Sequence, residues 1–223
     1  MKKAFSIFVL FLVASVGLAA CTPPPPLKSD KYLRDTSLIT GQPCAAPCFQ
    51  GITVGKTTFS DAETLLKGNP LFSNVQKQES SGRPPLATFN TKEGEAVGQL
   101  TADEKGLVDA LLVKLAPGVT TADLIKAMGE DPTYVTGIDY SQTEVALALI
   151  FPKKGLVAWV APGDSTATLK ESDPVVVVLY IAPDGFPKLL DTAELRGWAG
   201  YISYATYKAN TPVITPKVTA TPQ

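Results

Sequence analysis

The sequence predicts an α+β fold of two tandem units, each a short helix followed by an antiparallel β-meander. Three observations carry this reading. Thr58-x-x-Asp61 recurs as Thr120-x-x-Asp123, and Leu66, Pro70 and Phe72 recur as Met128, Pro132 and Tyr134, all at an offset of 62 residues. Each copy is followed by short segments of strand composition with turn residues between them. Hydrophobic residues make up 45% of the 223-residue chain against 18% charged, enough apolar surface for a packed core. The first unit takes residues 49–116 and the second 117–191. Each is too small to bury much alone, so the two are expected to share a sheet or a seam.

The elements follow in chain order. Lys2 and Lys3 precede an almost wholly apolar run, Phe5 to Leu18. Residues 1–20 thus have the charge, length and order of a signal peptide, and the run is too short for a comfortable membrane span. The run ends Leu18-Ala19-Ala20-Cys21, which resembles the bacterial lipobox. That resemblance implies cleavage between Ala20 and Cys21 and a diacylglycerol on the Cys21 sulfur. Two or more acyl chains anchor a protein stably where one does not. Residue 22 is Thr, not the Asp that tends to hold enteric lipoproteins at the inner membrane. The expected location is the bacterial cell envelope, membrane-anchored by lipid and facing outside the cytoplasm.

Residues 21–48 read as a tether. Pro23 to Pro26 favour an extended polyproline helix, and a polar stretch continues to Pro43. Cys44 and Cys48 then bracket Ala45-Ala46-Pro47. In an exported chain two close cysteines are expected to form a disulfide. Closing a loop of about five residues contributes roughly 2 kcal/mol by chain entropy. The rival is a C-x-x-x-C copper or redox site. Copper-delivery proteins with that spacing also use a histidine, and the chain has none. Thioredoxin-like motifs use the shorter C-x-x-C.

Gly51 to Thr58 reads GITVGKTT and ends like a phosphate-binding loop. The loop G-x-x-x-x-G-K-S/T needs four residues between its glycines, because that length sets how the amides wrap the phosphates. Three lie between Gly51 and Gly55. A helix start is the simpler reading. Thr58 and Thr120, each with an acid three residues on, form the signature of an N-terminal cap. Ala62, Leu65 and Leu66 make one helical face, and Leu124, Ala127 and Met128 another. Gly68-Asn69-Pro70 and Gly129 to Pro132 stop the two helices. Strands are expected over 75–79, 86–91, 96–103 and 107–115, then 134–138, 145–151, 156–161 and 175–182. Lys105-Gly106 and Lys153-Lys154-Gly155 mark hairpin turns. Val175 to Ile181 is apolar on both faces and should be a central, covered strand.

The repeated motif resembles the small SmpA/BamE-type lipoprotein module. Its signature runs roughly G-x-T-x-x-D/E-x-x-x-x-L/M-G-x-P, on a helix pair packed against a three-stranded sheet. Gly118, Thr120, Asp123 and Pro132 match it well, the first copy more loosely. Tandem copies of a similar unit form the β-lactamase inhibitor protein fold. The resemblance implies an envelope protein that works by binding other proteins.

Composition narrows the function classes. Lys+Arg is 20 against Asp+Glu 21, with no basic run of the sort nucleic acid needs. The absence of histidine removes many metal sites and most triad mechanisms, so no catalytic residue, metal or cofactor is expected. Gly163-Asp164-Ser165 is similar to the start of a GDSL esterase, but no base is available and a surface turn explains it. The acid pairs Glu93/Glu95 and Asp103/Glu104 sit by turns as solvated charge. Residues 192–209 form an aromatic closing segment with Trp198, Tyr201, Tyr204 and Tyr207. Gly197, Gly200 and Ile202 argue for extended chain there. The rings either close the core or form a ligand or partner surface. Residues 210–223 are Thr/Pro-rich and read as a disordered tail. The leading expectation is a non-enzymatic protein-binding or scaffold module. The alternative is a lipoprotein that captures a glycan or lipid on the aromatic segment.

Overall fold

The structure is a computed structural model that describes residues 25–79, 84–182, 185–191 and 193–214. The signal segment, the Ala20–Cys21 junction and the end of the Thr/Pro-rich tail from 215 lie outside the described residues. The chain forms α1 (Ser37–Thr40), a two-stranded ribbon of β1 (Cys48–Phe49) and β2 (Ile52–Thr53), and α2 (Phe59–Gly68). Next come β3 (Phe72–Gln78), β4 (Leu86–Thr91), β5 (Ala96–Ala102) and β6 (Val108–Lys114), then α3 (Thr121–Met128). Strands β7 (Tyr134–Asp139), β8 (Val145–Phe151), β9 (Leu156–Gly163) and β10 (Val175–Ile181) follow. The described chain ends with α4 (Phe186–Leu190), β11 (Arg196–Gly197) and α5 (Tyr204–Asn210). The class is α+β, with one large antiparallel sheet and few helices.

Both long helices start where a threonine side chain accepts the amide three residues on. Thr58 caps α2 through Asp61 N, and Thr120 caps α3 through Asp123 N. At Thr120 the arrangement is reciprocal, because the Asp123 carboxylate also accepts the Thr120 amide. Residues 55–58 are therefore a turn into a helix. Gly55, at φ +76°, donates its amide to the Val108 carbonyl and so docks the turn on β6. Gly129, at φ +70°, closes α3 in the left-handed region.

Among the described residues nine strands form one sheet in the order β11-β7-β8-β9-β10-β6-β5-β4-β3. Two meanders lie side by side, and their last strands, β6 and β10, pair at the centre with Leu112 opposite Leu179. The apolar Val175–Ile181 run is that central strand.

Residues directly opposite in the ladder share a face, so cross-strand rows report each face. On the inner face one row runs Ala87, Leu100, Leu111, Tyr180, Leu156, Phe151, and every member is buried. Phe59, Ala62 and Leu66 of α2 and Leu124 and Met128 of α3 pack in the same core. A second inner row sets Phe89 opposite Gly98. A Cβ on Gly98 would fall 1.9 Å from the Phe89 ring, so the ring occupies the space a side chain would need.

Two segments differ from their compositional reading. Residues 27–40 read as tether, yet Leu27, Tyr32, Leu33 and Leu38 are buried in the body. The Tyr32 hydroxyl donates to the Pro26 carbonyl, and Leu33 pairs with Leu115 at the seam. Four apolar residues with no period, spread through polar ones, find non-local partners that local composition does not display. The aromatic segment is non-helical through Ile202, but 204–210 is helical because Ser203 caps it through Thr206 N. Beyond α5 the chain turns back, and Ile214 donates its amide to the Leu195 carbonyl.

Candidate functional site

Cys44 and Cys48 are disulfide-bonded, with Cα atoms 5.6 Å apart. The small loop they close lies against the body, since a Cβ on Gly155 would come 2.8 Å from Pro47 Cβ. Phe49 follows at once, fully buried, with its ring 6.1 Å from Phe72 and 5.9 Å from Tyr180. Those rings belong to the two different meanders. The crosslinked loop thus sets the direction of a side chain that plugs the seam.

The four rings of the closing segment separate into two pairs. Tyr204 and Tyr207 are core residues. The Tyr204 hydroxyl donates to the Gly137 carbonyl, and a Cβ on Gly137 would meet its ring at 2.7 Å. The Tyr207 hydroxyl donates to Gly200 O and accepts the Ala199 amide, and burial pushes its pKa up to about 12. As a ligand platform the four-residue set is therefore corrected to its half-buried members, Trp198 and Tyr201, which meet edge-on at 5.6 Å. Helical phase from 204 turns the other two rings inward.

The Gly163-Asp164-Ser165 turn is explained by its own hydrogen bonds. Asp164 Oδ1 accepts the Thr166 hydroxyl and amide and the Ala167 amide, and the Thr166 bonds hold its carboxyl below the usual range. The Thr120 hydroxyl and amide lower Asp123 in the same way. The tyrosines that shift do so first through burial: Tyr32, Tyr140, Tyr180, Tyr201, Tyr204 and Tyr207 all move up. Each of these shifts has its cause in packing or in local hydrogen bonds. Among the described residues no group of three or more His, Cys, Asp or Glu side chains is placed to hold a metal ion. No helix among them is long and apolar enough to cross a membrane, which leaves open spans made by strands.

The surface with an unusual distribution is the outer face of the sheet, opposite α2 and α3. One row there runs Gln76, Thr88, Gln99, Leu112, Leu179, Val157, Ile150, Tyr134 across eight strands. Its first three members are polar and its last five apolar or aromatic. Phe186, Leu190 and Leu195 cover Ile150 and Val157 in a separate cluster. Leu27 covers Ala146, Ala161 and Val176 at the other end of the same strands. Between the two covers lies a shallow apolar cavity of about 170 Å³, with Trp159, Leu112, Ile138 and Tyr140 in its lining. A larger cleft, about 660 Å³ and rimmed by charged residues, lies on the other meander between Asp30–Arg34 and Lys92–Glu95.

The sequence alone points to an exposed sheet face but assigns no residue to it. Its signal was present in the strands. Leu86–Thr91 alternates buried and half-buried residues, as a one-sided sheet requires, whereas Val145–Phe151 is buried throughout. Comparison with family models, with curated proteins and with solved structures returns no match.

Proposed function

We propose that this chain is an exported, lipid-anchored, non-enzymatic binding module whose body is a tandem pair of SmpA/BamE-like units. An envelope protein docks on the outer face of the first meander. Residues 1–21 supply the export and anchoring half of this reading, through the positive start, the apolar run and the lipobox-like Leu18-Ala19-Ala20-Cys21. The bonded Cys44–Cys48 pair fits an oxidising compartment. The tandem half rests on the matching Thr58 and Thr120 caps, each leading into a four-strand meander.

The observation that carries the binding surface is the change of polarity along the outer row. Gln76 and Gln99 are exposed and Thr88 half-exposed, while the apolar continuation is partly roofed by the protein's own chain. A face presenting Thr and Gln rather than apolar groups suits a partner that must be released into water when free. The edge is less suited. Strand β3 carries a register shift between Ser73 and Gln76, and Lys77 and Glu79 pair along it, devices that discourage strand addition.

The test is capture from intact membranes through a C-terminal tag, with mass measurement of the Cys21 peptide and a Cys21→Ala control. The reading expects a diacylglyceryl adduct on Cys21 and one stoichiometric envelope protein, lost in a Gln99→Arg, Thr88→Arg variant that keeps its Tm. Full retention of that protein by the double variant would move the interface elsewhere. The glycan or lipid alternative retains one footing, the half-buried Trp198–Tyr201 pair. It predicts binding to the soluble body that is lost in Trp198→Ala and untouched by the arginine substitutions.

A further inference from the structure

We propose that the apolar cavity on the outer face of the second meander rests on the lipid bilayer and fixes how the body stands on its membrane. The proposal builds on the lipidation of Cys21 set out above.

The tether is attached at the rim of this cavity. The Tyr140 hydroxyl donates to the Pro25 carbonyl, and Tyr140 lines the cavity. Leu27 is buried as part of its wall. Lys28 Nζ donates to the Ala161 carbonyl at 3.2 Å, and the Tyr32 hydroxyl holds Pro26 O at 2.8 Å. Residues 25–28 are thus pinned to the body. Four residue steps separate Pro25 from Cys21, and a fully extended chain covers at most about 3.6 Å per step, roughly 14 Å in all. A bilayer that holds acyl chains on Cys21 therefore lies within about that distance of Pro25, and so of the cavity beside it.

The chemistry of the patch fits that neighbour. Ile138 is 56% exposed, one of few large apolar side chains so open among the described residues. Trp159 and Tyr140 are half-buried with it, and these are the side chains that settle at membrane–water boundaries. Lys28 is exposed beside them, and Lys114 stands opposite Val177 in the row that continues to Trp159. Both can meet lipid phosphates. The patch is too small to hold a protein on a bilayer by itself. The anchor removes that difficulty by confining the body, so that a weak contact is made intramolecularly. Docked this way, the polar half of the same face, four strands away at β4, stays near the membrane surface.

The experiment uses the full lipidated protein carrying Trp198→Phe, which leaves Trp159 as the only tryptophan of the two. It is reconstituted in phosphatidylcholine–phosphatidylglycerol vesicles with or without bromine at a shallow acyl position. The proposal expects brominated lipid to lower Trp159 emission about two-fold or more, with Ile138→Glu abolishing the loss while the protein still floats with the vesicles. A nitroxide on Ile138→Cys, in protein that retains Trp198, gives a second reading. It should become more accessible to oxygen than to a water-soluble nickel complex when vesicles are present. Co-flotation with neither effect would overturn the proposal and leave the lipoprotein reading standing. Absence of the acyl adduct on Cys21 by mass measurement would remove both together.

Discussion

The two meanders of the sheet have the same inner face and opposite outer faces. Inside, Ala87, Leu100 and Leu111 of the first continue into Tyr180, Leu156 and Phe151 of the second without a break in burial. Outside, Gln76, Thr88 and Gln99 of the first face solvent, whereas Ile150 and Val157 of the second lie beneath Phe186, Leu190 and Leu195. The first meander alternates as a one-sided sheet does. The second is apolar on both sides and recruits its own C-terminal segment and Leu27 as partial covers. The difference teaches that two meanders with a common inner face can carry different outer ones. The first keeps a polar outer surface open to solvent, and the second is partly covered by other parts of the chain.

The largest break in this comparison should come from the shared inner face. Gly98→Ala forces a methyl to 1.9 Å from the Phe89 ring in a packed core. We expect a loss of roughly 3 kcal/mol, read as a lower urea midpoint. Gly137→Ala meets the Tyr204 ring at 2.7 Å and should cost less, about 1–2 kcal/mol, because Tyr204 lies nearer the surface than Phe89.

Alkaline pH probes the second meander and its closing segment. Burial raises Tyr207 to about 12 and pushes Tyr180 higher still. The unfolded chain releases these protons near 10, the folded chain only above that, so the folded state binds more protons in between. Stability is therefore full below about pH 10 and falls as pH rises through about 12. Phenolate absorbance during a pH titration should show late tyrosines that ionise together with unfolding. Simple titration near 10 of every tyrosine would contradict their burial.

Outer-face substitutions sharpen the contrast directly. Leu179→Ala, in the apolar half of the row, should cost about 2 kcal/mol, while Gln99→Ala, in the polar half, should stay within about 0.5 kcal/mol. Equal costs would mean the halves do not differ energetically. The smallest contrast lies in the caps. Thr120→Ala should cost about 1 kcal/mol, and Thr58→Ala somewhat less, because only Thr120 has the reciprocal carboxylate bond.

Much of this architecture was legible in the sequence. The threonine–acid spacing located both long helices, and the turn glycines placed the strand ends, because caps and hairpins are written in neighbouring residues. The contacts that close the molecule were not. Leu27 and Tyr32 look like parts of a spacer until their distant partners, Ala146 and Lys114, are known. The inward turn of Tyr204 and Tyr207 follows from a seven-residue helix whose only local sign is Ser203 three before Thr206. The outer-face polarity needed the register, since only the ladder sets Thr88 beside Gln99 and Gln99 beside Leu112.

The central claim is that the polar half of the outer face receives a partner. Its most direct measurement is site-specific photocrosslinking in living cells, with a photoreactive residue placed at Gln99, at Thr88, or at Lys67 on the exposed side of α2. The account predicts one discrete adduct of the same protein from Gln99 and Thr88, and none from Lys67. An adduct from Lys67 alone, or none from either sheet position, would contradict it.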